Sequence, residues 1–350
     1  MTGRPVRSAE LGDGCPAGES SPVSAKPIDV ICRILFVILA VIIVATACVY
    51  AIFARDLASA RELLVGRSKT VKTSFGTLEY TVMGEGEPTL VVHGAAGGFD
   101  QSIDMSGPMA GRGYQLIAPS RFGYLRSTMP KKPSTAMQAD AYAQLLDHLG
   151  IDKVAVVGIS AGAWSSMQFA IRHPERCRAL VLLVPANYLP AGASIHGGAI
   201  VRAIFDSDFV AWVALKLMPI MPGGMTRMML GTDATVVRAA EPSEKARVQQ
   251  VLEHLLPVSL RFAGMQFDIK TAATHEPYPI EKIACPVLTI SAEDDRFGTA
   301  TRAKYIVGSV PDGRAVIFPT GGHALVGHYA DTLREITSFL ETVQQRRSPR

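Results

Sequence analysis

Six short runs constrain the chain most: PTLVVHG, YQLIAPS, KVAVVGIS, RALVLLVPA, PVLTISAEDD and RAVIFPTGG, all between residues 88 and 322. Their Val, Ile and Leu residues do not alternate with polar ones, so each suits a strand buried on both faces. Stretches of helical spacing lie among them, at 136–149, 161–173, 299–310 and 323–343. Strands alternating with helices imply an α/β architecture, a mostly parallel sheet with helices on both faces. Ahead of the six runs, VKTSFG and TLEYTVMG form a strand pair that turns at Gly76. The last helix presents Leu333, Ile336, Phe339 and Leu340 as a stripe toward the core.

The rhythm stops at 187 and resumes near 282. Helical segments broken by Pro and Gly fill this interval, which is too long for a loop and reads as an inserted helical lid. The lid holds Met218, Met221, Met225, Met228 and Met229, with Phe205, Phe209 and Trp212 nearby. Flexible thioethers suit an adaptable apolar pocket, although ordinary core packing uses the same residues.

A second feature stands at the front. Residues 34–54 run 21 positions without a charge, bracketed by Arg33 and Arg55. As a helix this run spans about 31 Å, the depth of a bilayer's hydrocarbon core. Ala58-Ser59-Ala60 offers a signal-peptidase site and Ala45-Thr46-Ala47-Cys48 is similar to a lipoprotein box. The length of the run and its 33-residue lead favour an uncleaved, single-pass membrane anchor instead. The lead, 1–33, reads as a disordered polar tail and 70–345 as the folded domain. Five basic residues (Arg55, Arg61, Arg67, Lys69 and Lys72) follow the run closely, against Lys26 and Arg33 before it. That count leans toward a cytoplasmic folded domain.

Composition excludes other classes. With 35 Lys plus Arg against 31 Asp plus Glu in 350 residues, no basic footprint for nucleic acid exists. The five cysteines form no CxxC pair and no ligand cluster with His, so neither metal nor organic cofactor is implied.

The chemistry is carried by Gly158-Ile159-Ser160-Ala161-Gly162, which ends one apolar strand and opens a helix. Small neighbours let a serine sit on a sharp strand-to-helix turn with its hydroxyl exposed. A hydroxyl attacks only if a base takes its proton, and His323 after the last strand can do so. A carboxylate must orient that imidazole; Asp295 is the choice and Asp294 the reserve. Oxyanion donors are the amides of Ala161 and of Ala95, in the Gly-rich loop His93–Gly98. Phe99, Arg121, Trp164 and Met225 are candidates for the substrate pocket, Arg121 also being readable as a loop-pinning residue. His328 reads as structural.

These motifs resemble the α/β-hydrolase superfamily, in its single-domain group with a lid after the sixth strand. The resemblance covers about 71–343, and Ser160, Asp295, His323 follow the order that fold uses. It implies about eight strands and serine-dependent hydrolysis, usually of esters, with a lipophilic ester as the expected small-molecule substrate. Carbon–carbon bond hydrolases of this fold often follow the catalytic His with Trp and Gln, where this chain has Ala324 and Leu325. Carbon–carbon cleavage, acyl transfer and a non-catalytic binding module are the rival readings.

Overall fold

The computed structural model describes residues 27–187, 206–218, 222–274 and 277–346. The expected disordered tail lies outside the described residues as far as residue 26. Residues 27–33, read from sequence as part of that tail, are instead the first two turns of helix α1 (Pro27–Glu62). Pro27 at the first position and Asp29 in the first turn are residues that favour a helix start.

The chain divides into two units, one ending at Ile52 and one beginning at Phe53. In the first, α1 is the described element, and its apolar side chains from Ile34 to Val44 lie exposed with none of the span buried. The second opens with the last turns of α1 and holds everything else.

Eight strands form one sheet: β1 (Lys69–Thr73), β2 (Gly76–Met83), β3 (Glu87–Val92), β4 (Tyr114–Pro119), β5 (Val154–Ile159), β6 (Cys177–Leu183), β7 (Val287–Ala292) and β8 (Gly313–Phe318). Their order is β1-β2-β4-β3-β5-β6-β7-β8. β2 runs antiparallel to β1 and β4; every other pairing is parallel. The α/β class expected from the unalternated runs is what the chain forms. Alternate residues reach opposite faces, and both faces are covered. On one, Leu90, Val92, Val156 and Leu182 pack with Leu145 of α3 (Thr135–His148), Met167 and Phe169 of α4 (Gly162–Arg172) and Ile306 of α10 (Thr299–Ser309). On the other, Val91, Val157, Leu183 and Ile290 meet Met105 of α2 (Phe99–Ser106) and Ile336 and Leu340 of α11 (Tyr329–Gln345). Each such side chain contributes roughly 1.5–3 kcal/mol by burial.

Two boundaries differ from the sequence pattern. α2 was not anticipated; its eight residues are too few to declare a period. The last helix begins at Tyr329 rather than at 323, because Leu325 and Gly327 take left-handed backbone (φ +49° and +83°) and break it.

Between β6 and β7 the described elements are five α-helices, α5 (Asp208–Leu217), α6 (Pro222–Leu230), α7 (Ala234–Ala239), α8 (Pro242–Glu253) and α9 (Phe262–Thr274), and two short 3-10 turns, Val258–Leu260 and Ile280–Lys282. They form a cap. Residues 188–205 and 219–221, with Phe205 and Met221 of the expected lid stripe, lie outside the described residues. At the end of α1, Phe53 packs edge-on against Phe209 and Trp212 of α5. Asp56 accepts from Trp212 Nε1 at 3.1 Å and pairs with Lys216 at 2.9 Å.

The strand order locates a crevice. β4 lies on one side of β3 and β5 on the other, so the loops leaving β3 and β5 part at the carboxyl edge of the sheet. That is where doubly wound sheets bind ligands.

Candidate active site

Ser160 follows β5 directly into that crevice, with φ +48°. A non-glycine residue in this left-handed region carries strain of order 1–3 kcal/mol, tolerated when the surroundings leave no alternative. The surroundings here are tight. A Cβ at Gly162 would stand 2.5 Å from the backbone oxygens of Val92 and His93, so the turn and the loop after β3 touch through glycine alone. At Gly158 a Cβ would meet Ser166 Oγ at 2.5 Å. The Ser160 N–H donates to Leu183 O at 2.9 Å, which ties the turn to β6.

His323 Nε2 lies 2.8 Å from Ser160 Oγ, and His323 Nδ1 lies 2.9 Å from Asp295 Oδ2. A carboxylate only accepts, so Nδ1 carries the hydrogen and Nε2 is left free to take one from the serine. Asp295 is fully buried at its side chain, whereas His323 is 22% exposed. Burial alone would raise the Asp295 carboxyl; His323 beside it, with bonds from Thr299 Oγ1 and the Phe297 N–H, holds it below its usual range. Asp294 turns elsewhere: it accepts from Gly322 N–H at 2.8 Å and from Thr232 Oγ1. Of the two candidate acids, Asp295 therefore meets the imidazole, and Asp294 braces the turn beneath it. His328 stacks on Phe318 with ring centroids 4.2 Å apart and stands outside the line.

The loop 93–98 faces this line. Gly94 lies against Ser160, where a Cβ would be 3.0 Å from the serine Cβ. Among the described residues neither the Ala95 nor the Ala161 N–H donates to a backbone carbonyl outside the helices and strands. The pocket candidates fare differently. Phe99 and Trp164 are buried at the starts of α2 and α4. Arg121 is a correction: 1% exposed, it lies beneath the loop and forks onto Asp268 at 2.7 and 2.6 Å. A guanidinium so paired is not available to a substrate anion. The side chain of Met225 lies outside the described residues.

Residues 88–215 match a protein-family model described as the alpha/beta hydrolase fold. A hydrolase of Bacillus subtilis named as uncharacterized, YcgS, is 40% identical over 293 residues, covering 79% of this chain and 99% of its own. The chain belongs to the α/β-hydrolase family. Among more distant relatives of this α/β hydrolase, the 2-hydroxy-6-oxo-6-phenylhexa-2,4-dienoate hydrolase of Burkholderia cepacia is 25% identical over 73% of the chain and 87% of its own length. A solved membrane phospholipase A, described as a bacterial virulence factor, superposes with a TM-score of 0.62 at 20% identity, over 89% of this chain and 99% of that one.

Several residues of the hydrolase site were missed from sequence. His93 Nε2 accepts the Arg121 N–H at 2.8 Å while its Nδ1 donates to Gly94 O at 2.7 Å. Burial, and then the nearby guanidiniums of Arg121 and Arg261, push this imidazole well below its usual range, so it stays neutral. Arg261 and Asp268 of the cap and Asp100 of α2 are equally buried. A signal existed at Arg261, where no other Asp, Glu, Lys or Arg stands between Glu253 and Asp268, and buried charges come in pairs.

Proposed function

We propose that this α/β hydrolase is a serine hydrolase that cleaves carboxylic esters of apolar acyl groups through an acyl-enzyme. The hydrogen-bonded line from Ser160 Oγ through His323 to Asp295 carries this reading. In the first half, the Ser160 proton passes to His323 Nε2 as Oγ bonds the ester carbonyl carbon. The carbonyl oxygen becomes an anion held by the Ala95 and Ala161 amides. His323 then gives its proton to the departing alcohol as the carbon–oxygen bond breaks. Water repeats the sequence and frees the acid, with Asp295 stabilising the imidazolium each time. The cap cluster of Ala211, Trp212, Leu256 and Met265 supports an apolar acyl group.

The anchor belongs to the same proposal. A 21-residue uncharged run with exposed apolar side chains suits the interior of a bilayer better than water. The basic residues after it favour the second unit on the cytoplasmic side.

A fluorophosphonate probe on the full chain in membranes tests the chemistry. Labelling that vanishes in Ser160→Ala, with turnover of p-nitrophenyl esters across a chain-length series, is the expected result. Absence of labelling in the wild type sinks the reading. The distant dienoate hydrolase relative favours a second reading, carbon–carbon cleavage, and a 2-hydroxy-6-oxo-dienoate turned over faster than every ester would establish it. Carbonate washing tests the anchor: a tag ahead of residue 1 should stay with the pelleted chain, and its release in a shortened form would mean cleavage.

A further inference from the structure

Resting on the serine-hydrolase reading, we propose that the cap aims the oxyanion loop: Arg121, held by Asp268 of α9, and Arg261 of the cap are positioning residues for the Ala95 N–H. A trans peptide is planar, with its C=O and N–H pointing opposite ways. The C=O of Gly94 and the N–H of Ala95 belong to one such group, so whatever fixes that oxygen aims that amide. Three donors meet Gly94 O: Arg121 Nη2 at 3.0 Å, His93 Nδ1 at 2.7 Å and Gly97 N at 3.3 Å. Arg261 Nη1 holds Gly97 O at 2.7 Å. Between the two guanidiniums Ala96 stands at φ +57°, a backbone alanine does not choose by itself.

Neither guanidinium has room to swing. Arg121 is 1% exposed and Arg261 0%. Arg261 forks onto Asp100 at 3.1 and 2.6 Å, as Arg121 does onto Asp268. Tyr124 Oη adds to the second pair by donating to Asp268, and the Ala96 N–H reaches Tyr124 Oη at 3.4 Å. The two pairs have opposite polarity across one boundary, with an acid from the cap on a core arginine and an arginine from the cap on a core acid. Lifting the cap would strand a charge on each side of both. Apolar side chains would fasten a cap at least as well; what they cannot do is bond the loop's carbonyls. Cap docking and oxyanion geometry are thus one event.

Arg121→Lys and Arg261→Lys test this, because a lysine keeps the charge but replaces the rigid planar fork that spans carboxylate and carbonyl with one nitrogen on a flexible stem. Expected for each is a fall in kcat of about 30-fold or more on a short-chain p-nitrophenyl ester, with KM within about threefold. The rate of fluorophosphonate labelling falls in parallel. Arg126→Lys is the comparison, since the Arg126–Glu79 pair touches no part of the loop; its kcat stays within about twofold. A lysine variant that does not fold passes the decision to the near-isosteric Asp268→Asn, read by the same rates. Folded variants that keep wild-type kcat overturn the positioning role while the serine chemistry stands. A wild type that is not labelled overturns the serine chemistry itself.

Discussion

The sheet and the cap are held by different physics. β3, β5 and β6 are joined by backbone ladders and sandwiched by leucines, valines and a phenylalanine with no exposed surface. The cap touches the core through apolar clusters, Ala96 and Tyr124 with Leu256 and Met265 and Val326 with Leu230 and Val248, and adds directed polar contacts at the loops. Arg261 reaches Gly97 and Asp100, Asp268 reaches Arg121, and Thr232 reaches Asp294. Arg247 of α8 donates to Ala324 O at 2.9 Å, and Glu244 accepts the Gly327 N–H at 3.0 Å. Every loop that carries a site residue after β3, β7 or β8 therefore has a cap residue bonded to it or to its neighbour. Burial tolerates small displacements because it has no direction; a hydrogen bond does not. The sheet supplies stability, and the cap supplies placement.

The sharpest break in that division is Ser160→Ala, expected to lower kcat by roughly 10⁴–10⁶ while leaving the melting temperature unchanged or higher. Next comes Asp295→Asn, expected to cost about 10⁴ in kcat by turning the imidazole to the wrong tautomer. Asp294→Asn bears on the same assignment from the other side. It should cost about tenfold, through looser seating of the turn below His323. Equal losses for the two would undo the choice between them. Leu145→Ala, on the sheet side, should cost about 2–5 kcal/mol in denaturant melts yet leave kcat of the folded protein within about threefold. A large kcat loss there would erase the contrast between sheet and cap.

The smallest effect concerns pH. His254, at the end of α8, bonds Asp104 at 2.6 Å, and that bond raises its imidazole above the usual 6.5 against the opposing effect of burial. The pair's contribution is full below 6.5 and is lost as pH rises through the raised value. The wild-type melting temperature should fall over that window more than that of His254→Gln, which removes the charge. Parallel curves would show that the cap does not feel this proton.

Legibility followed the same division. Strands β3 to β7 could be read because burial on both faces writes an uninterrupted apolar run, which the edge strand β8 shares although it is exposed to half-buried, and the elbow because a strand, a serine and two glycines coincide at 158–162. The imidazole at 323 was legible from its place after the last strand. The choice of Asp295 over Asp294 needed coordinates, since adjacent carboxylates differ only in the direction each leaves the turn. Arg121 was half read: the sequence offered it as a pocket residue or a loop pin, and burial beside Asp268 leaves the pin. Its partner lies 147 residues away, and no local pattern records such a pairing.

The backbone at Ser160 favours a different residue. Glycine would occupy φ +48° without any steric penalty, and serine does so only under constraint. A copy of this chain relieved of chemical duty would shed that strain by exchanging the serine for glycine. The side chain at this corner works against the thermodynamic interest of its own fold.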